Sequence, residues 1–377
     1  MKLIRVLNIL HSMDCGGAET MIMNYYRKID RNKIQFDFLL TNVNHCDYED
    51  EILELGGVIY RIPLLTKKEP WVYCKAINNF FKEHKEYKIV HSHTTSKSVI
   101  PLFYAKKNRI PVRIAHCHGS KSESGVNGII RSALRPLLKF VTTDYFACSK
   151  DAGIYLFGEN YFNLGKINII KNPVDSSKYV FNKEKRLKIR RLLNLDNRFV
   201  IGHVGRFHSV KNHTFLIDVF NEVHKKNSNA MLVLIGTGTE QERIKEKVKR
   251  LKLTSSVEFL GLRNDVADLL QAIDVFVFPS LYEGLGLVTI EAQATGLPCV
   301  ISDTIPKEVN ITGLVKCLNL NDSIENWARK IIESGNIERQ NTQVEIIKYG
   351  YDISKNAEWL QEFYLKNYER LAVKYID

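Results

Sequence analysis

Short runs of β-branched and aromatic residues alternate with amphipathic helical segments along the whole chain. This alternation is typical of βα units, whose strands assemble into parallel sheets with helices on the sheet faces. The runs form two series, and we predict strands at 3–10, 36–41, 57–62, 88–93, 111–117, 144–149 and 166–175, and then at 199–205, 230–236, 256–261, 274–280 and 298–302. The predicted fold class is therefore α/β, with two Rossmann-like, doubly wound parallel sheets.

The length of 377 residues also favours two domains, because a domain commonly holds about 100–200 residues. We expect an N-terminal domain over 1–178 and a C-terminal domain over 179–353. The final helix, from about 354, carries several aromatic side chains, so we expect 354–377 to pack back on the first domain. Doubly wound sheets bind ligands at the carboxyl ends of their strands. Two such domains would face a central cleft, and functional residues should directly follow strands.

Cysteine usage and hydropathy limit the class of protein. The seven cysteines are spread along the chain without a C-x-x-C pair, which argues against a disulfide framework and against a zinc ribbon. No stretch reaches the roughly 18 apolar residues that a transmembrane helix needs, and the amino terminus resembles a strand more than a signal peptide. We expect a cytoplasmic protein that is soluble or peripheral on the inner face of the cell membrane.

Basic residues are concentrated in the segment 97–150, where only Glu123 and Asp144 are acidic. Within it, Arg131, Arg135 and Lys139 recur every four residues, so a helix over 127–141 would carry them on one face. Such a helix could lie on an anionic membrane surface, kinked at Pro136. A solvated helix over an ordinary core is the alternative interpretation.

The first candidate site residues follow the predicted strand 199–205. Arg206 comes directly after this strand, and Lys211 stands at the start of the next helix. A guanidinium fork, an ammonium group and a helix N-terminus together form a suitable cradle for a diphosphate. A solvated loop with two ordinary surface cations remains the alternative.

The second group lies in the stretch PSLYEGLGLVTIEAQATGLP (279–298), after the strand 274–280. Its two acids, Glu283 and Glu291, stand eight positions apart around a glycine-containing turn, and each carboxylate can accept two hydroxyl groups of a sugar ring. The backbone N–H groups of Gly284, Leu285, Gly286 and Leu287 can bind an anion. The alternative is that Glu283 favourably charges a first helical turn and Glu291 is a surface acid.

These motifs, GRFHSVKNH followed by PSLYEGLGLVTIEAQATGLPCVISD, resemble the nucleotide-sugar half of retaining glycosyltransferases of family 4, whose E-x7-E motif is matched by Glu283 and Glu291. The first half agrees through GGAE (16–19), HSH (91–93), HCHG (116–119), FACS (146–149) and KNPVD (171–175). The resemblance covers essentially the whole chain and is strongest to bacterial exopolysaccharide and capsule enzymes. It implies the GT-B fold.

The resemblance also implies roles for single residues. Arg206 and Lys211 would hold the donor diphosphate and stabilise charge on the leaving nucleotide. Glu291 would bind the ribose hydroxyls and Glu283 those of the transferred sugar. His118 would stand beside the donor sugar in a catalytic role.

Further donor contacts follow from the same resemblance. Gly16 and Gly17 would let the first loop approach the phosphate and the acceptor, and the segment 260–266 with Leu262 would contact the base. The core of the E-x7-E motif reads EGLGLVTIE here, where many relatives have Phe and Pro, so the motif leaves the identity of the sugar open.

The implied reaction moves a hexose or N-acetylhexosamine, with retention, from a UDP-sugar to a lipid-linked saccharide. We expect no cofactor and no metal, because no Asp-x-Asp pair follows a strand of the second domain. The histidines His91, His93, His116 and His118 could imitate a metal cluster, yet they have no carboxylate or cysteine partner in a recognised spacing.

Three alternatives were weighed. A nucleotide-sugar epimerase would share the two-domain architecture and would need no acceptor. A dinucleotide oxidoreductase is disfavoured because MDCGGAE lacks G-x-G-x-x-G. A nucleic-acid binder would suit the net charge of +12, but the basic residues are not interleaved with stacking aromatics, so we expect no nucleic-acid partner.

Overall fold

The computed structural model describes residues 3–66, 68–119, 128 and 132–373. The chain divides into two compact units, Met1–Pro173 with Ile353–Asp377, and Val174–Asp352. The predicted boundary at 178 lies a few residues after this division. No helix in the described ranges has the length and apolar character needed to span a membrane. All seven cysteines are free thiols.

The first unit is built on a parallel sheet. Its described strands are β1 (Ile4–Leu10), β2 (Ile34–Leu40), β3 (Ile59–Arg61), β4 (Ile89–Ser92), β5 (Val112–Cys117), β6 (Asp144–Ala147) and β7 (Ile167–Ile169). They lie in the order β3-β2-β1-β4-β5-β6-β7, so the winding direction reverses between β1 and β4. The helices span Gly17–Lys28, Glu49–Glu54, Pro70–Glu83, Val99–Lys107, Leu138–Val141, Lys150–Phe157, Glu159–Asn163 and Ile353–Val373.

The central strands of this sheet are covered on both faces. Every residue of β2 is buried, as is typical of parallel strands between two layers of helices. The one acid in β2, Asp37, accepts hydrogen bonds from the Arg5 guanidinium (2.6 Å from Nε), the Tyr87 hydroxyl (2.7 Å) and the Val58 N–H (2.8 Å). A buried carboxylate is tolerated because these donors replace its water.

The second unit repeats the architecture. Its strands are β8 (Phe199–Val204), β9 (Ala230–Ile235), β10 (Val257–Gly261), β11 (Val275–Phe278), β12 (Cys299–Ser302) and β13 (Val315–Leu318), in the order β10-β9-β8-β11-β12-β13. The winding direction therefore reverses between β8 and β11. The helices span Ser176–Tyr179, Lys183–Leu192, His213–Lys226, Gln241–Arg250, Val266–Ala272, Leu287–Ala294, Ile324–Gly335 and Gln343–Lys348.

Two strand predictions need correction. The strand predicted at 166–175 is only Ile167–Ile169, because the chain leaves the sheet before the turn at Pro173. Strand β13 was missed: it pairs with β12 alone at the sheet edge, and only its first residue is buried. An edge strand with one buried position has no hydrophobic run to reveal it.

The predicted helix over 127–141 is confirmed in part. Arg131 lies outside the described residues. Residues 132–134 are helical, Arg135–Leu137 forms a 3₁₀ turn that contains Pro136, where a kink was predicted, and a short helix, Leu138–Val141, follows. The Arg135 guanidinium donates to the Tyr155 carbonyl at 2.8 Å and lies 4.6 Å from the centroid of its ring. Arg135 therefore packs within the first unit rather than on a solvent-facing stripe.

The C-terminal helix belongs to the core of the first unit. Ile353, Ala357, Leu360 and Tyr364 follow helical spacing and are buried in the same cluster as β1 and β2. The centroid of the Phe363 ring lies 4.9 Å from that of Phe146 in β6. Tyr364 is thus a core residue and Phe363 and Tyr368 pack against the core, whereas Trp359 is 42% exposed.

We predict that Leu360→Ala lowers the free energy of unfolding of the first unit by about 2–5 kcal/mol, because it removes buried methyl groups and leaves a cavity. Leu164→Ala, at a leucine that is 66% exposed in the same unit, is the matched control. Denaturant unfolding of both variants measures the difference. Equal stability of the two variants would contradict this role for the helix.

Candidate active site

The loops after β8 and β11 meet where the winding direction of the second sheet reverses, which is the usual ligand position in such sheets. The Leu281 N–H donates to the Val210 carbonyl at 2.8 Å and joins the two loops. The hydroxyls of Ser302, at the end of β12, and of Thr304, just after it, both donate to the Ser280 carbonyl, at 2.6 and 2.7 Å. The backbone of this site is therefore fixed by contacts from three strand ends.

Lys211 and Glu283, one from each loop, form an ion pair. Lys211 Nζ lies 2.5 Å from Glu283 Oε1 and 4.6 Å from the centroid of the Phe278 ring. Both side chains are largely buried. A Cβ on Gly205 would lie 3.2 Å from His203 Nε2 and 3.4 Å from Lys211 Cδ, so the glycine avoids a tight contact with His203. Lys211, which is predicted to bind the diphosphate, and Glu283, which is predicted to bind the transferred sugar, are thus in direct contact.

Arg206 stands on the loop after β8 with an exposed side chain. The loop backbone is fixed on both sides of it, because the Gly205 and Phe207 N–H groups donate to the Ile235 and Thr237 carbonyls at 2.9 Å each. Among the residues that the structure describes, no carboxylate lies within ion-pair distance of Arg206. Its guanidinium can therefore bind an incoming anion without breaking an existing ion pair.

Glu291 lies in the helix Leu287–Ala294, which follows the Glu283 loop. The Tyr179 hydroxyl hydrogen-bonds to its carboxyl group. Burial raises the pKa of Glu291 to about 7, and the Tyr179 hydrogen bond opposes that rise. Glu291 is therefore a carboxyl group that changes protonation near neutral pH, unlike a surface acid.

The turn between the two acids is shaped by glycine. Gly286 has a φ of 75° and directly precedes the helix Leu287–Ala294. A Cβ on Gly284 would meet no heavy atom within 4 Å, and Leu285 and Leu287 pack partly against the core. The first N–H groups of a helix have no acceptor within it, so this turn retains the anion-binding chemistry that its sequence predicts.

The other predicted donor contact, Leu262, follows β10. Its side chain is 75% exposed, and the neighbouring Arg263 forms an ion pair with Asp265 at 2.5 Å. An apolar side chain held in solvent can pack against a flat ring of a ligand.

In the first unit, a cavity of about 340 Å³ lies where the sheet reverses between β1 and β4. Gly16 and Gly17 stand at the start of the adjoining helix, Gly17–Lys28. The cavity is lined by apolar and by polar side chains, among them Leu10, Leu64, Leu65, Tyr73, His11, Glu19, Thr41, His93, Thr95 and Lys97. Burial raises the pKa of Glu19. This lining suits a ligand with hydroxyl, anionic and apolar parts.

Four histidines form a buried cluster at the ends of β4 and β5. His91 Nδ1 lies 2.7 Å from the Tyr364 hydroxyl, and His91 Nε2 lies 3.2 Å from His116 Nδ1. His93 Nδ1 lies 2.8 Å from His118 Nε2, and His93 Nε2 lies 3.2 Å from Asn8 Oδ1. Two hydrogen-bonded chains therefore run side by side, one through His91 and one through His93.

Burial lowers the pKa of each of these histidines, and that of His118 falls to about 4. They are therefore neutral at pH 7. Ligand atoms of His91, His93 and His116 lie within 4.8 Å of one another, a proximity that the strand spacing alone did not predict. The nitrogens of His91 and His93 are already shared with hydrogen-bond partners, so a metal ion would have to replace those bonds.

Sequence reasoning missed several residues of these sites. Tyr179 contacts Glu291, and Asn8 contacts His93, through side chains from distant segments, and nothing in the local sequence of either residue indicates this. Glu19 had a local signal, because it stands in the first helical turn after the Gly16-Gly17 pair. The cavity beside Glu19 had no such signal in the local sequence.

Family models match both halves of the chain. Residues 15–178 match the model "Glycosyltransferase Family 4", and residues 198–334 match the model "Glycosyl transferases group 1". EpsF of Bacillus subtilis (strain 168), which is named as a glycosyltransferase, is 37% identical over 369 residues, 96% of each chain. The UDP-Gal:alpha-D-GlcNAc-diphosphoundecaprenol alpha-1,3-galactosyltransferase of Escherichia coli is 28% identical and covers 77% of this chain and 79% of its own.

Solved structures agree in fold. Anabaena HepE, solved in complex with UDP and glucose, superposes with a TM-score of 0.74 at 18% identity, over 96% of this chain and 99% of that one. A glycosyltransferase from Rickettsia africae gives 0.79 at 18% identity, over 97% and 99%. The fold is GT-B, and the family models over both halves identify the chain as a glycosyltransferase. More specifically, the chain belongs to glycosyltransferase family 4.

We predict that Glu291→Gln raises the melting temperature at pH 8 and that the gain shrinks towards pH 5. The folded pKa of about 7 exceeds the ordinary 4.5, so the folded state binds more protons between these values, and stability falls as pH rises through this window. The neutral amide avoids that loss, on the order of 3 kcal/mol. Glu258→Gln, at an exposed glutamate, controls for removal of one carboxylate. A gain that is independent of pH would contradict the prediction.

Proposed function

We propose that this glycosyltransferase moves a hexose or N-acetylhexosamine, with retention of configuration, from a UDP-sugar to a lipid-linked saccharide in exopolysaccharide or capsule biosynthesis. One observation carries the proposal most directly: the ion pair of Lys211 and Glu283 beside the exposed Arg206, at the reversal point of the second sheet. A relative named for capsular polysaccharide biosynthesis, CapH of Staphylococcus aureus, is 26% identical and supports the biological role.

The charges of this site suit departure of a nucleotide diphosphate. As the glycosidic bond to the diphosphate breaks, negative charge grows on the phosphate oxygens. Lys211 and Arg206 supply fixed positive charge there, and groups that are positioned before the reaction stabilise the transition state without reorganisation. Glu283 holds Lys211 in place and offers its second carboxylate oxygen to a sugar hydroxyl.

The nucleotide would occupy the remaining part of this site. Glu291 accepts hydrogen bonds from the ribose hydroxyls, and Leu262 packs against the base. The anion-binding turn at Gly284–Leu287 approaches the phosphates through backbone N–H groups. HepE was solved with UDP, which supports uridine as the base.

The acceptor would bind in the cavity of the first unit. Lys97 and His11 supply donors for phosphate oxygens, Glu19 can accept a hydroxyl, and the leucines contact apolar chain. The Escherichia coli relative is named for an acceptor that joins a sugar to undecaprenol through a diphosphate. The mixed lining is what such an acceptor requires.

We predict that a screen of UDP- and GDP-sugars finds hydrolysis or transfer with a UDP-sugar, and that Lys211→Ala lowers the rate about 10²–10³-fold by removing transition-state stabilisation. Lys225→Ala, at an exposed lysine of the same unit, should keep full rate. Transfer to a lipid-linked saccharide should give a product with the anomeric configuration of the donor, read by NMR.

The same assay separates the alternatives. A new free sugar isomer formed without acceptor would indicate an epimerase. Loss of activity with EDTA and its return with manganese would contradict the proposed metal-independent mechanism. Equal rates for Lys211→Ala and Lys225→Ala would contradict the site itself.

We further propose attachment to an anionic membrane on the cytoplasmic side, through a face of the first unit. Two segments of this unit, Val99–Lys107 and Arg135–Val141, carry exposed apolar side chains. Phe103 is 50% exposed, Leu137 is 45% exposed and Phe140 is 59% exposed. Lys106 Nζ donates to the Phe140 carbonyl at 2.8 Å and joins the two segments. We call this set the Phe103–Phe140 face; its cations are Lys106, Lys107 and Lys139.

Aromatic side chains beside lysines are the combination that inserts at a membrane interface, where each nearby cation contributes about 1 kcal/mol with anionic lipids. We predict that the protein floats with vesicles containing phosphatidylglycerol but not with phosphatidylcholine alone. Lys106→Glu with Lys107→Glu should abolish flotation, whereas the charge-matched pair Lys245→Glu with Lys249→Glu should not. Equal flotation of the two double variants would contradict the proposed face.

A further inference from the structure

The chain Asn8–His93–His118 fixes the position of each proton. Asn8 is buried in β1, and its Nδ2 faces the carbonyls of Val6 and Asp37 at 3.5 Å each. Its Oδ1 is therefore the atom that faces His93 Nε2 at 3.2 Å. An amide oxygen only accepts hydrogen bonds, so His93 must carry its proton on Nε2.

The position of the proton on His93 in turn determines its position on His118. A neutral histidine with a proton on Nε2 has a bare Nδ1, and His93 Nδ1 lies 2.8 Å from His118 Nε2. His118 must then donate from Nε2, which leaves its own Nδ1 without a proton. His118 Nδ1 is buried and has no hydrogen-bond partner among the residues that the structure describes.

A buried acceptor without a partner is unfavourable, and native proteins retain few such atoms. The bare Nδ1 can accept a hydrogen bond from a hydroxyl group, but it cannot donate one to a phosphate oxygen. The chemistry of this atom therefore distinguishes a sugar hydroxyl from a phosphate as the ligand of His118.

We propose that Asn8 and His93 are positioning residues that hold His118 in the Nε2–H tautomer, so that its Nδ1 accepts a hydrogen bond from a hydroxyl of the sugar substrate. The sugar ligand rests on the proposed function, whereas the tautomer rests only on the contacts above. His93 cannot instead donate a hydrogen bond to His118, because its one proton is on Nε2 and is donated to Asn8.

The second histidine chain provides an internal control. Tyr364 contacts His91, which contacts His116, and none of these three bonds to His118. Removal of the Tyr364 hydroxyl therefore changes the polar network of the cluster without changing the chain through Asn8.

The test is NMR of ¹⁵N-histidine-labelled enzyme at pH 7.5, in which long-range ¹H–¹⁵N correlations report which ring nitrogen carries the proton. The signals of His118 are assigned by their loss in His118→Asn. We expect Nε2–H for His118 in the wild type and in Tyr364→Phe. In Asn8→Leu, which lacks the acceptor, we expect the Nδ1–H form to appear.

Kinetics with the sugar donor then tests the role of the tautomer. Asn8→Leu should lower kcat by about 10- to 100-fold, as expected for loss of one buried hydrogen bond to substrate, with little change in KM. Tyr364→Phe should retain the wild-type rate. His118→Asn, whose amide oxygen can replace Nδ1, should be more active than His118→Gln, whose amide lies nearer the Nε2 position.

Three results would overturn the proposal: Nδ1–H on His118 in the wild type, an unchanged tautomer in an inactive Asn8→Leu, or full activity in an Asn8→Leu whose tautomer has changed. If Asn8→Leu does not fold, the wild-type spectrum still decides on the tautomer, and a His118→Asn that is no more active than His118→Gln would contradict the role of Nδ1. Absence of any glycosyl transfer by the wild type would instead count against the proposed function and would leave the NMR result standing.

Discussion

The contact between Lys211 and Glu283 depends on one topological fact, the adjacency of β8 and β11 in the second sheet. Strands distant in sequence end side by side there, and their loops must diverge because the sheet is wound in opposite directions on either side. The ammonium and carboxylate groups fill the space that this divergence opens. Since each neutralises the other when no ligand is present, the fold can hold both in a partly buried place before a donor arrives.

The same constraint shapes the first unit, where β1 and β4 adjoin and the cavity lies beyond their ends. The two units differ in the chemistry that occupies equivalent places. The second carries strong permanent charges suited to a diphosphate. The first carries imidazoles, hydroxyls and apolar side chains together with Glu19 and Lys97, which suit a larger and more varied molecule. One architecture can thus serve both substrates of a transferase through a change of loop residues alone.

Most strands and helices were predictable because their hydrophobic pattern is visible in the local sequence, as in the fully buried strand β2. From the sequence, Arg206, Lys211 and Glu283 could be placed in the loops after β8 and β11, and Glu291 in the helix that follows the glycine turn. Their roles in a site stay predictions. The sequence did not reveal which side chain each of these residues contacts. The Glu291 contact with Tyr179 joins distant segments, and proton positions in the histidine cluster depend on distances between three strands. Arg135 shows the converse error, since its helical spacing suggested a membrane-facing stripe and its guanidinium packs on a tyrosine ring.

The helix Ile353–Val373 completes a core whose other parts lie before residue 174. During translation, the second unit emerges as one continuous segment and can fold while the first still lacks this helix. Ribosomes add about 5–20 residues per second, so the unfinished hydrophobic surface over β1 and β2 stays uncovered for many seconds. The order of synthesis therefore makes the first unit, although it begins the chain, the last to mature, and it is the one that nascent-chain chaperones would need to shield.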